Sequence, residues 1–299
     1  MSGPRSLLFV PGNRPDMLAK APKSGADALI IDLEDSVPVA EKARARGIAQ
    51  EFIASHGAAN VLYVRVNAIG TGLLEEDLEA IVRPGLSVVR LAMTDSAETV
   101  REVDRMITAL EKKHGVKEGS IRITPSLETA RGCWFAFDIC SASPRVNAVS
   151  CGTAQDGDLQ ADLGYTWSPE GNEVLYVRSH VLLAAKAAGV KHVLDGTYAK
   201  IRDPEGLRTC CEAVRRLGYR GKSCIHPNQV ALVNEVFTPT EKELDYYRRV
   251  IVAFDEAVAR GSAATTIDGG TMIDYAMAET ARRVLAWGDS AKRGGQDVG

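Results

Sequence analysis

Short apolar runs that stop abruptly at a charged or small residue alternate with stretches whose apolar positions recur at helical spacing. The alternation repeats eight times before residue 237. Ser6–Val10, Ala28–Asp32, Val61–Asn67, Ser87–Leu91, Ile121–Pro125, Val146–Cys151, His192–Asp195 and Lys222–Ile225 are the runs that predict strands. Between them, helical patterns cover Glu41 to Phe52, Ser96 to about Leu110 with Ser96 as N-cap, Asn172 to Ala188 and Pro204 to Leu217. Strands that alternate with helices imply βαβ units around a parallel sheet. Eight such units in residues 1–236 have the size of a closed (β/α)8 TIM barrel. An open doubly wound sheet is the alternative, but no G-x-G-x-x-G follows the first strand.

Residues 237–288 read differently, as a small helix/hairpin/helix extension. Thr240 and Glu243 have the spacing of a capping box, and Leu244, Tyr247, Val250, Ile251, Phe254 and Val258 follow at helical intervals up to Gly261. Asp268-Gly269 between β-prone runs predicts a hairpin, and a last helix is expected from about Ala276 to Ala286. Residues 289–299 are polar and are expected to be a disordered tail.

In a (β/α)8 barrel the chemistry lies at the C-terminal ends of the strands. Asp32, Glu34, Asp35, Arg65, Glu128, Asp158, Asp195 and His226 all fall where an apolar run stops. Neighbouring strands lie about 4.8 Å apart, so Glu128 and Asp158, after adjacent strands, could share one hard cation with oxygen ligands and open water positions, in the manner of magnesium. Each taken alone has a plainer reading, with Glu128 capping the next helix and Asp158 making a turn. Arg65 offers a planar fork for a substrate carboxylate, compatible with a rim salt bridge to Glu34 or Asp35. Gly152 suits a close backbone approach at which free N–H groups could bind a carboxylate. Arg14 reads equally as a contact for a phosphate or as a solvated loop charge. His226 reads as a structural hydrogen-bonding group, Asp156 and Asp162 as loop and helix-start residues, and Trp134, Trp167 and Trp287 as packing residues.

Composition narrows the partners. Across 299 residues, 45% hydrophobic and 25% charged residues are ordinary for a globular chain, and a net charge of −3 with no basic run gives no reason to expect nucleic acid. No apolar stretch is long enough to span a bilayer, and the N-terminal residues lack the pattern of a cleaved leader. The six cysteines form no CxxC pair and no zinc spacing; as small hydrophobes inside apolar segments they fit a reducing, cytoplasmic setting.

The ordered set Arg5-Ser-Leu-Leu-Phe-Val-Pro-Gly-Asn-Arg14, Asp32-Leu-Glu-Asp35, Arg65-Val-Asn67, Glu128-Thr-Ala-Arg131-Gly132, Asp158-Leu-Gln-Ala-Asp162-Leu-Gly164, Cys224-Ile-His226-Pro-Asn and Met272-Ile-Asp274 resembles the citrate lyase β-subunit-like family of HpcH/HpaI aldolases and acyl-CoA lyases. The resemblance covers the chain apart from its tail. It implies a TIM barrel that uses Mg2+ to cleave a 3-hydroxyacyl-CoA thioester of citryl, malyl or citramalyl type into a shorter acyl-CoA and a 2-oxo acid. It also implies a homotrimer or hexamer in which the C-terminal extension covers a neighbour's active site. Glu128 and Asp158 match the metal ligands, Arg65 the arginine that binds the oxo acid, and Asp274 the acid–base aspartate supplied across the subunit boundary. From local pattern, Asp274 reads equally as an N-cap of the last helix. A malyl-CoA thioesterase, a metal aldolase on a free hydroxy-oxo acid, and a non-catalytic subunit binding CoA or an acyl carrier are the competing functions. Two departures bear on substrate: Ala92-Met93 stands where the family has Pro-Lys, and Gly157 where a Glu usually precedes the metal-binding Asp.

Overall fold

The computed structural model describes residues 3–292. Eight parallel strands close into a barrel in chain order: β1 (Ser6–Pro11), β2 (Ala28–Asp32), β3 (Leu62–Val66), β4 (Val88–Leu91), β5 (Arg122–Leu127), β6 (Ala148–Cys151), β7 (His192–Asp195) and β8 (Gly221–Cys224), with β8 pairing back onto β1. The (β/α)8 reading of the apolar runs is therefore correct, and the strand ends differ from the expected ones by a few residues.

Side-chain alternation divides the core in two. Leu7, Ile30, Tyr63, Val88 and Leu194 fill the barrel, whereas Leu8, Ile31, Val64, Val89, Ile123 and Val193 pack outward beneath the helices. Because side chains of directly paired residues share a face, the register sets the floor of the site. Pro11 pairs with Asp32, Asp32 with Arg65, Arg65 with Arg90 and Arg90 with Thr124. One row of backbone pairs thus brings a carboxylate and two guanidiniums together.

Helix entry is fixed by local hydrogen bonds that keep orphan N–H groups satisfied. Ser96 Oγ accepts from Thr99 N at 3.3 Å and starts Ala97–His114. The Thr240–Glu243 capping box is present and starts Glu241–Ala259. That helix packs on Tyr275–Lys292 through Val250, Phe254, Ala278 and Ala281, with a two-stranded hairpin between them, β9 (Thr265–Ile267) and β10 (Thr271–Ile273). Asp268 and Gly269 take φ of 49° and 77° at its tip, the left-handed conformation such a turn needs. Trp287 joins the main core, its ring 4.1 Å from the Arg220 guanidinium carbon, and so fastens the extension to its own barrel. The last helix runs on to Lys292, past residue 289 where a disordered tail was expected to begin. The remainder of that segment, 293–299, lies outside the described residues.

Candidate active site

The C-terminal mouth of the barrel holds a cavity of about 460 Å³. Asp32, Asp35, Arg65, Glu128, Gly152 and Asp158 line it, together with Phe9, Arg90, Gln155 and Thr197. These residues come from seven separate segments of the chain and converge there because each lies at or just after the C-terminal end of a barrel strand.

On one wall, Arg65 is forked onto Asp32, Nε to Oδ1 at 2.7 Å and Nη2 to Oδ2 at 2.8 Å. Its Nη1 reaches Asp35 Oδ2 at 3.1 Å and lies 2.7 Å from Glu34 Oε2, the latter without hydrogen-bond geometry. Burial, with Asp35, Glu128 and Asp32 nearby, pushes the Glu34 carboxyl up to about 8 despite Arg65. Lys42 fixes the backbone of this loop, donating to Leu33 O at 2.6 Å, Glu34 O at 2.8 Å and Asn67 Oδ1 at 2.7 Å. Asp32 and Lys42 carry structural weight that the sequence alone did not assign; the strand-end position of Asp32 was the only signal, and Lys42 gave none.

The opposite wall is far less tied down. Thr129, not Glu128, caps the next helix: its hydroxyl accepts from Gly132 N at 2.9 Å. Glu128 is thereby released toward the cavity, and its Oε1 accepts only from Met93 N, at 2.8 Å. Met93 holds φ at 47°, so the backbone at the Ala92-Met93 departure is bent to aim that N–H. Burial raises the Glu128 carboxyl above the usual range, partly offset by the Met93 N–H, Arg65 and Arg90. Asp158 begins the helix Asp158–Leu163, and its side chain makes no hydrogen bond or ion pair among the described residues. A Cβ on Gly152 would stand 2.5 Å from Glu128 Cβ, so glycine is required there. Its N–H, expected to be free for a carboxylate, donates instead to Leu127 O at 2.8 Å, because the β5–β6 ladder continues past the strand ends.

Four of the expected positions lie elsewhere. Arg14 pairs with Asp16 on the surface, Nε to Oδ1 at 3.0 Å, and does not line the cavity. Asp274 accepts from Met277 N at 3.0 Å and caps the last helix. Asp195 faces outward, since Leu194 before it points into the barrel. His226 caps Pro227–Val236 through Nδ1, which accepts from Asn228 N at 3.2 Å. Asp162 accepts from Ala130 N at 2.6 Å and ties two site helices together. Trp167 packs, but Trp134 does not: it is 65% exposed, 6.0 Å from the His180 ring, because its short helix turns that face outward.

The residues fit a divalent cation. Glu128 and Asp158 bring carboxylate oxygens to one cavity, and Gln155 Oε1, on the same wall, is a buried acceptor without a partner. The four carboxylates lining the cavity outnumber its two guanidiniums by two, the charge of one such ion. Among the described residues no cluster of three or more His, Cys, Asp or Glu side chains assembles, so an ion here would keep several water positions.

A closed parallel barrel with carboxylates and arginines at its C-terminal mouth defines an enzyme of the TIM-barrel class. The chain belongs to the HpcH/HpaI aldolase/citrate lyase family, whose sequence model matches residues 5–227, and is a lyase. It is 35% identical over 283 residues to a citrate lyase subunit beta of Leuconostoc mesenteroides subsp. cremoris, covering 94% of this chain and 92% of the relative. It is 34% identical over 284 residues to a (3S)-malyl-CoA thioesterase of Cereibacter sphaeroides, covering 94% and 93%. The crystal structure of CitE from Mycobacterium tuberculosis in complex with magnesium, acetoacetate and coenzyme A superposes with a TM-score of 0.77 at 30% identity, covering 96% of this chain and 98% of that one.

Proposed function

We propose that this chain is a Mg2+-dependent carbon–carbon lyase that splits a 3-hydroxyacyl-CoA thioester of citryl, malyl or citramalyl type into a shorter acyl-CoA and a 2-oxo acid. The observation that carries the reading is the pair Glu128 and Asp158, neither tied to another side chain among the described residues and both lining one cavity with Arg65. These two carboxylates would hold the ion. Bound there, Mg2+ supplies charge stabilisation for the oxygen that becomes the new carbonyl.

The chain's own groups do the rest. Arg65 retains N–H capacity beyond its bonds to Asp32 and Asp35 and orients the oxo-acid carboxylate. Met93 N–H holds Glu128 in one rotamer. Asp274, delivered by the extension of a neighbouring copy, hands a proton to the acyl carbon as the carbon–carbon bond breaks; the hydroxyl proton leaves to solvent water, from which Asp274 is reprotonated. Two observations support that delivery. Asp274 does not line the cavity of its own chain, and Met272 and Tyr275 beside it are 60% and 61% exposed. Exposed apolar residues flanking a polar group suit a subunit contact, and we assign the assembly as a homotrimer or hexamer. The six unpaired, buried cysteines suit a reducing cytoplasm.

The test is product analysis by mass spectrometry after incubation with several 3-hydroxyacyl-CoA thioesters, with Mg2+ or with chelator. A shorter acyl-CoA plus a 2-oxo acid, lost on chelation and regained with Mg2+, is the expected result. Free CoA with an intact hydroxy acid would instead make the enzyme a thioesterase. Mixing inactive Glu128→Gln and Asp274→Asn proteins should regain part of the activity if Asp274 acts across subunits. No recovery from mixed, exchanged oligomers would place Asp274 outside catalysis.

A further inference from the structure

Arg90 is the second guanidinium of the cavity, and its surroundings differ in kind from those of Arg65. It is 5% exposed, and its three nitrogens are held only by serine hydroxyls from three other strands. Nε donates to Ser126 Oγ at 3.0 Å, Nη1 to Ser223 Oγ at 2.9 Å and Nη2 to Ser150 Oγ at 2.8 Å. No carboxylate forms an ion pair with it among the described residues, whereas Arg65 is in contact with Asp32, Glu34 and Asp35. A guanidinium has five N–H donors, so one on each terminal nitrogen stays unspent. The three serines accept from Arg90 and donate to no acceptor among the described residues.

Both guanidinium carbons lie over the Phe9 ring, Arg65 at 4.9 Å and Arg90 at 5.0 Å from its centroid. A ring contact of this kind is worth only about 0.5–2 kcal/mol and does not neutralise a buried charge. Burial lowers the Arg90 pKa to about 10, with Arg65 also acting to lower it and Glu128 opposing. The two cations thus stand in opposite local balance. Carboxylates outnumber the charge around Arg65, and only neutral serine hydroxyls accept hydrogen bonds from Arg90 among the described residues. A buried charge without a counter-ion is costly, and the missing anion has a place to bind because Arg90 lines the cavity.

We infer that Arg90 is a specificity-determining residue that takes a second carboxylate of the acid fragment, so that the site prefers a 2-oxo dicarboxylate to a 2-oxo monocarboxylate. Resting on the function proposed above, this assigns two separate cationic positions to one cavity. The first carboxylate lies with the oxo oxygen at the Glu128–Asp158 side and Arg65; the second lies against the free N–H donors of Arg90. An acid with one carboxylate leaves Arg90 unmatched.

Calorimetric titration of the full chain with Mg2+ present, using oxaloacetate and pyruvate as the two probes, tests this. Wild type should bind oxaloacetate more tightly. Arg90→Met should weaken oxaloacetate by about thirtyfold or more, the range for removing one partner of a buried charged pair, while pyruvate changes by less than about threefold. Arg90→Lys keeps the charge without the fork and serves if the methionine variant does not fold; it should weaken oxaloacetate selectively but less. Equal weakening of both acids, or none, overturns the inference while leaving thioester cleavage by wild type as it stands. Wild type that binds neither acid in Mg2+ would bring down both this inference and the lyase reading.

Discussion

Two sets of charges sit on opposite sides of the barrel wall, the outer one buried and the inner one open to the cavity, and they are built by opposite rules. Outside, Asp195 at the end of β7 accepts from Lys222 Nζ on β8, from Thr153 Oγ1 at 2.9 Å and from Arg178 Nε at 3.3 Å. Lys222 further donates to Cys210 Sγ at 3.4 Å, and Arg178 to Thr153 Oγ1 at 2.9 Å. Against the burial that would raise it, Arg178 and Lys222 hold the Asp195 carboxyl below the usual range. Inside, Glu128 has a single backbone donor, Asp158 has none, and Glu128 is pushed the other way. Charges whose partners all lie within the chain pin β6, β7 and β8 to the helices; charges left short of partners face the cavity. The difference teaches that strand-end position alone does not mark a functional carboxylate. Partner count does.

Removing charge on each side should break the comparison most sharply. Asp195→Asn leaves Lys222 and Arg178 buried without their counter-ion and should cost about 3–5 kcal/mol of unfolding free energy in urea titrations. The fraction that remains folded should keep near wild-type turnover. Glu128→Gln should do the reverse. Its cleavage rate should fall roughly a hundredfold or more with loss of Mg2+ binding by calorimetry, while its melting temperature holds or rises. If both variants lost stability alike, the distinction between the two sets would fail.

Titration gives a finer contrast, between the bottom of the barrel and its mouth. His192, at the start of β7, accepts from Gly3 N at 2.8 Å through Nδ1, and burial with Lys186 and Lys191 lowers its pKa from 6.5 to about 4. The fold favours its neutral form, so its contribution is complete above pH 6.5 and is lost as pH falls toward 4. Chemical denaturation across that window should show an acid-side loss that His192→Gln removes. Glu34 runs in the opposite sense and should give the smallest effect. With its carboxyl raised from 4.5 to about 8, the fold favours the protonated form; its contribution is complete below pH 4.5 and is lost as pH rises toward 8. Glu34→Gln, measured with chelator present, should flatten that slope. A slope unchanged by the substitution would show that Glu34 is ionised throughout.

The alternation of apolar runs, the capping box at Thr240 and the Asp268-Gly269 turn all depend on neighbours close in sequence, and all were legible there. Glu128, Asp158 and Arg65 could be placed at strand ends for the same reason. What sequence could not supply was closure. Only the closed barrel brings Arg90 on β4 within reach of serines on β5, β6 and β8, and Asp32 into register with Arg65. Only the tertiary ladder uses the Gly152 N–H, and only side-chain parity turns Asp195 outward while Glu128 points in. Residue type and local period determined which elements form. Which charges are satisfied, and which remain for a ligand, was decided by contacts between segments far apart in the chain, because an ion pair depends on distance in space.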